Sequence, residues 1–266
     1  MKVGLIGCGT IGTEIAYSID KEILQMNLAA ICDKKKEKAE KLRKSLREKP
    51  SLVNLKELLD LVDLIVEAAS PDIVGELVEG AIERGKDIMI MSVGGMVEHL
   101  DLFEKAQKQG SRIYFPSGAI TGLDGIKSAR EASLDSVILI TSKPPSGLKG
   151  APYVVRKEIN LEKIKERTII FEGSCREAVK EFPKNINVAA ALSFAGIGID
   201  KTQVRVVVDP SLKRNVHHIV VEGKFGKLET RTENLPFPSN PRTSYLAALS
   251  AVATLKRITS PWQIGT

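Results

Sequence analysis

The chain has 266 residues, of which 43% are hydrophobic and 27% charged, and it carries a formal net charge of +6. That balance argues against a disordered chain, and no run of ~18 or more apolar residues is present to form a helical membrane span. Much of the positive excess lies in residues 34–44, where Lys and Glu mix at helical spacing with no aromatic between them; this is the pattern of a solvated helix face, so no nucleic-acid partner is expected.

Taken in chain order, residues 2–6, 28–32, 61–67, 87–91 and 112–115 are short runs rich in Val, Ile and Leu, predicted as buried strands. Between them, residues 11–19, 35–48, 71–84 and 97–109 show helical spacing, and Gly85 and Gly110 stand where helices stop. Alternating strand and helix implies a parallel sheet with helices on both faces. The pattern changes after residue 118. One helix is predicted over 123–132, and period-two strands over 136–141, 202–208, 216–222 and 227–233, the last two joined by Gly223-Lys224-Phe225-Gly226. Ser174-Cys175-Arg176-Glu177 reads as a capping box, Pro183 should end its helix, and residues 188–194 form an alanine-rich one. Asn240-Pro241 is predicted to open a last helix, which returns to the first domain. The expected fold class is α/β: a doubly wound parallel sheet (1–118 plus 240–266) and a second α+β domain (119–239) built on a mostly antiparallel sheet. The first predicted strand starts at Lys2, so no signal peptide is expected. Cys8, Cys32 and Cys175 have no C-x-x-C spacing, which argues against disulfides or a zinc site, so a cytoplasmic location is expected.

Gly7-Cys8-Gly9-Thr10-Ile11-Gly12 is G-x-G-x-x-G between a predicted strand and a predicted helix, and Asp33 ends the next strand about 20 residues on. This is the dinucleotide fingerprint of a Rossmann-type domain. Gly7 permits the tight turn, Gly9 the approach of a pyrophosphate, and Gly12 close helix–sheet packing. Thr10 and Ile11 open the helix whose N-terminus receives the phosphates. Asp33 should accept from the adenosine ribose and repel a 2′-phosphate, so NAD is expected, with Lys34, Lys35 and Lys36 leaving NADP within reach. Ala68-Ala69-Ser70 closes a later strand with small residues that let backbone lie beside the cofactor; Ser92-Val93-Gly94-Gly95 is placed to do the same. Either is equally readable as an ordinary turn.

Three histidines are present. His99 falls in a predicted helix and reads as a surface residue. His217 and His218 are adjacent on one strand, so their side chains point to opposite faces and at most one meets a substrate. Such an imidazole suits a general base. Lys127 and Lys143 are candidates for pairing with a substrate carboxylate. No H-x-x-H, H-E-x-x-H or G-x-S-x-G pattern occurs, so no metal is expected.

Four segments together resemble the L-aspartate dehydrogenase family over nearly the whole chain: Gly7–Gly12 with Asp33; Pro116-Ser117-Gly118-Ala119-Ile120-Thr121-Gly122-Leu123-Asp124; Asn185-Ile186-Asn187-Val188-Ala189-Ala190; and Asp209-Pro210 with Asn215-Val216-His217. The resemblance implies that His217 is the active-site histidine and that Ala119 and Asn187 contact the cofactor near its nicotinamide. It leaves the carboxylate contacts undefined, with Thr141, Ser142 and Lys143 as candidates. It further implies oxidation of L-aspartate with NAD or NADP to iminoaspartate or oxaloacetate and ammonia, feeding NAD biosynthesis. A homodimer is the default assembly. Homoserine dehydrogenase-like or dihydrodipicolinate reductase-like chemistry, or an NAD-binding redox sensor, are the alternatives the same architecture serves.

Overall fold

The computed structural model describes residues 1–183, 187–238 and 240–266, with nothing given for the side chains of Pro241 and Arg242. The chain divides into two compact units, Met1–Pro116 with Ala248–Gln263, and Ser117–Ala247 with Ile264–Thr266.

The first unit alternates β1 (Lys2–Ile6), α1 (Thr10–Asp20), β2 (Asn27–Cys32), α2 (Lys36–Ser45), β3 (Ser51–Leu52), α3 (Leu55–Leu61), β4 (Leu64–Glu67), α4 (Val74–Glu83), β5 (Asp87–Ile90), α5 (Asp101–Gln109) and β6 (Ile113–Tyr114). The strands form one parallel sheet in the order β3-β2-β1-β4-β5-β6, so the doubly wound expectation holds. Its strands are apolar along their whole length because helices cover both faces: Val3, Leu5, Ile31, Leu64 and Val66 share a core with Ile15 and Ala16 of α1 and Leu42 of α2. Gly110 caps α5 in the left-handed conformation, as its position after the last periodic residue requires.

Several boundaries differ from the sequence reading. The predicted strand 61–67 is the end of α3 followed by β4. The capping box Asn54-Leu55-Lys56-Glu57 starts α3, with Asn54 accepting from the Glu57 N–H at 3.0 Å and Glu57 from the Asn54 N–H at 2.9 Å. The helix expected from residue 97 begins at Asp101, and that expected over 35–48 ends at Ser45.

The second unit contains α6 (Leu123–Arg130), β7 (Leu134–Lys143), α7 (Pro152–Arg156), β8 (Thr168–Ser174), α8 (Cys175–Glu181), α9 (Asn187–Ala195), β9 (Gln203–Val208), β10 (Asn215–Gly223) and β11 (Gly226–Asn234). The sheet order is β11-β10-β7-β9-β8, antiparallel except for the β7–β9 pair. Strand alternation buries Val137, Leu139, Val204, Val206, Ile219 and Val221 on one face. The end of α9 lies on that face, since a Cβ on Gly196 would stand 3.3 Å from Val137 Cγ2. Tyr153, Phe171 and Phe182 pack with ring centroids 5.4 Å apart, tying α7 and β8 to the residue after α8.

The Ser174–Glu177 capping box forms as expected. Ser174→Ala should cost about 1 kcal/mol in urea unfolding, by loss of the acceptor for the Glu177 N–H. The helix expected from Asn240 starts later: Asn240–Ser244 is a strand, β13, paired with β12 (Pro236–Phe237), and α10 runs Tyr245–Thr259. Its Ala251 and Leu255 enter the first unit's core.

Candidate active site

At the end of β1 the chain turns through Gly7, whose φ of +95° favours glycine. A Cβ there would stand 2.4 Å from the Ala68 carbonyl oxygen, so the turns after β1 and β4 abut where the strand order reverses. A Cβ on Gly12 would stand 1.9 Å from the Gly7 carbonyl oxygen, fixing how closely α1 follows the turn. Gly9 is different: a Cβ there meets nothing within 4 Å. The protein has no internal need for glycine at that point, whereas an incoming phosphate does. Gly9 is also the N-cap of α1, with no side-chain cap and no acidic residue in the first turn. The positive end of the helix therefore has no side-chain counter-charge of its own in the first turn.

Thr10 is the first residue of α1, and Ile11 packs partly against the core. Asp33, half-buried after β2, accepts from the Cys8 N–H and the Lys35 N–H, each at 2.8 Å, so it pins the glycine turn and keeps lone pairs for a ribose. Burial, helped by the Asp33 charge, pushes the Cys8 thiol up to about 12 and keeps it protonated. These features fit a dinucleotide. When bound, a nicotinamide dinucleotide accepts or donates a hydride; the chain's part is to hold and orient it.

The sequence reading overlooked Glu67. It ends β4 with no exposed surface. Its Oε1 accepts from the Ala69 N–H at 2.7 Å and the Ser92 hydroxyl at 2.8 Å, and its Oε2 from the Ser92 N–H at 2.8 Å. One carboxylate thus ties together both small-residue turns, Ala68-Ala69-Ser70 and Ser92-Val93-Gly94-Gly95. A charge closing an otherwise apolar strand was the available signal.

In the second unit, Thr141 on β7 is paired with His217 on β10, so both side chains lie on one face, with Lys143 two residues along on the same face. All three are buried. His217 Nδ1 and Thr141 Oγ1 have no partner among the described residues. Burial, then the Lys143 charge, pushes His217 down to about 3, and burial pushes Lys143 down to about 8. Buried polar groups without partners are rare, and ordered water or a bound ligand is what ordinarily satisfies them.

His218 points to the other face, where its Nε2 lies 3.4 Å from Glu229. Register thus separates the two histidines: His217 shares a face with Thr141 and Lys143, and His218 does not. Ser142 also faces away from Thr141 and Lys143, so it does not join the cluster. Lys127 donates to the carbonyl oxygen of Thr266 and is engaged at the chain end. His99 lies in a turn before α5, not in a helix, and its ring covers Gly75.

The Ala119 carbonyl accepts from Thr232 Oγ1 at 3.1 Å and Asn234 Nδ2 at 3.0 Å, which fixes the loop after Gly118. A Cβ on Gly118 would lie 3.6 Å from Val188 Cγ1, so this loop borders the start of α9, where Asn187 is the first residue. Asn185 and Ile186 lie outside the described residues. Among the described residues, no helix is long and apolar enough to cross a membrane and no three His, Cys, Asp or Glu side chains are grouped to hold a metal.

A glycine turn shaped for a ligand at the switch point of a β3-β2-β1-β4-β5-β6 sheet, together with a separate sheet unit bearing a buried imidazole, defines a nicotinamide-dinucleotide dehydrogenase. Residues 7–116 match the NAD binding domain of homoserine dehydrogenase, and residues 124–258 the C-terminal domain of aspartate dehydrogenase. The L-aspartate dehydrogenases of Methanosarcina mazei and Methanosarcina acetivorans are 53% and 52% identical, with full coverage of both chains in each case. The crystal structure of aspartate dehydrogenase from Thermotoga maritima superposes with a TM-score of 0.76 at 28% identity, covering 100% of this chain and 99% of that one. The chain belongs to the L-aspartate dehydrogenase family.

Proposed function

We propose that this chain oxidises L-aspartate at its Cα with NAD, yielding iminoaspartate and, after hydration, oxaloacetate and ammonia. The observation that carries the substrate side is the buried Thr141–Lys143–His217 cluster. Within it, Lys143 supplies an ammonium with no counter-ion among the described residues, His217 an uncharged imidazole, and Thr141 a free hydroxyl. In this reading Lys143 and Thr141 hold a substrate carboxylate, which offsets the cost of burying the ammonium. His217 is the catalytic base. It is neutral at physiological pH and takes a proton from the water that adds to the imine, and collapse of the carbinolamine releases ammonia. The substrate's carboxylate charge cancels that of Lys143 and so raises the basicity of His217 when it is needed. If the imine leaves before water adds, it is available to the biosynthesis of NAD. Asp33 supports NAD over NADP, since a 2′-phosphate would meet its carboxylate.

The test is to mix purified protein with L-aspartate and NAD and follow NADH absorbance. Turnover of homoserine or another amino or hydroxy acid without turnover of L-aspartate would remove the substrate assignment.

A second expectation concerns pH. Lys143 is cationic below about 8 and neutral above it. Binding of the inert dicarboxylate succinate should therefore weaken as pH rises through that value, by about tenfold per unit once the free lysine has lost its proton. Lys143→Met should bind succinate weakly at every pH and lose this dependence. Titration calorimetry from pH 6.5 to 10 checks both, and a flat profile for the unmodified protein would remove Lys143 as the anchor.

A further inference from the structure

Two neighbouring turns of the first unit, after β4 and after β5, are held by one carboxylate that no surface water reaches. We propose that Glu67 makes this unit favour the oxidised, positively charged nicotinamide dinucleotide over the reduced, neutral one. The inference rests on the nucleotide-binding reading of the same unit and extends it.

The placement follows from the sheet. Asp33 directly follows β2, on the β2–β3 side of the switch point, where the nucleotide reading puts the adenosine ribose. A dinucleotide laid across that switch point puts its other half at the carboxyl ends of β4 and β5. Glu67 is the last residue of β4, and its partner Ser92 lies just beyond β5.

The charge state follows from the donors. Oε1 and Oε2 each accept from a backbone N–H, which cannot reverse its role, and the Ser92 hydroxyl supplies a third donor. The two fixed N–H donors, one on each oxygen, favour the ionised carboxylate, and the Ser92 hydroxyl can add a third bond to that form. Burial acts in the opposite sense and is the larger influence, holding this carboxyl above the usual carboxylate range; the N–H and hydroxyl donors offset part of that rise.

An ionised group sealed from water acts on its surroundings with little screening. The oxidised nicotinamide ring carries a positive charge and the reduced ring none, so a fixed negative charge in this half stabilises the first and leaves the second nearly unaffected. A purely structural tie between the turns would have another signature, because loss of shape weakens both redox forms alike.

The experiment is calorimetric titration of wild type and Glu67→Gln with NAD+ and with NADH, without substrate. The expected result is that the substitution weakens NAD+ about tenfold more than NADH, a ratio change of about 1.4 kcal/mol. Equal losses for the two forms would overturn the inference while leaving the nucleotide site intact. Failure of the wild type to bind either form would instead overturn the nucleotide reading itself. Ser92→Ala removes one donor but no charge, and should leave the NAD+ to NADH ratio within about twofold of wild type; a ratio that moves as far as in Glu67→Gln would assign the effect to shape. If Glu67→Gln fails to fold, the wild type decides: NAD+ bound at least as tightly as NADH supports the proposal, and NADH bound more tightly overturns it.

Discussion

Gly9→Ala is expected to leave the fold unchanged and yet weaken NAD binding about 100-fold, roughly 2.8 kcal/mol. In the free protein the new methyl group meets nothing within 4 Å, so thermal and urea unfolding should be those of wild type. The cost comes only when a pyrophosphate tries to lie against the turn. Gly12→Ala should do the reverse. Its methyl group would sit 1.9 Å from the Gly7 carbonyl oxygen, which obliges α1 to move away from the sheet. Overpacking of that kind costs about 2–3 kcal/mol, and cofactor affinity falls with it. Calorimetry for binding and urea denaturation for stability separate the two. Unimpaired NAD binding by well-folded Gly9→Ala protein would contradict a phosphate seat at this turn.

His217→Ala is expected to lower turnover of L-aspartate about 10²–10⁴-fold, the usual worth of a positioned general base. NAD affinity should change little, because the glycine turn and Asp33, which hold the pyrophosphate and the adenosine ribose, lie in the other unit. His218→Gln is the control. That ring is on the opposite face of β10 beside Glu229, and its replacement should change turnover by less than about twofold. Retention of near-wild-type turnover by the His217 variant would remove it as the base and leave Lys143 and Thr141 to be tested alone.

The parts of this molecule legible from sequence were those set by local rules. The glycine turn needs only near neighbours, as do the Ser174–Glu177 box and the glycine stop at Gly110. Where two residues compete for one role, the deciding fact was long-range. Nothing near His217 says that Thr141 stands across from it; the β7–β10 register does. Strand alternation did contain one answer that was not taken from it. Thr141 and Lys143 share a face and Ser142 cannot, so the three were never equal candidates. Strand β8 was missed because a bulge between Ile169 and Phe171 breaks the alternation along Thr-Ile-Ile-Phe-Glu. Helix α3 was missed although Asn54 and Glu57 announce it, because two residues separate it from β4 and their apolar runs merge.

The return of α10 has a consequence for synthesis. Ala251 and Leu255 complete a core whose other members come almost wholly from the first hundred residues. The nucleotide-binding unit therefore stays unfinished on the ribosome until residues 251–255 have been made. A fragment ending at Pro116 should be prone to aggregate, and one supplied with residues 245–263 as a separate peptide should recover. A chain that stops before residue 251 thus lacks part of the core of its cofactor domain.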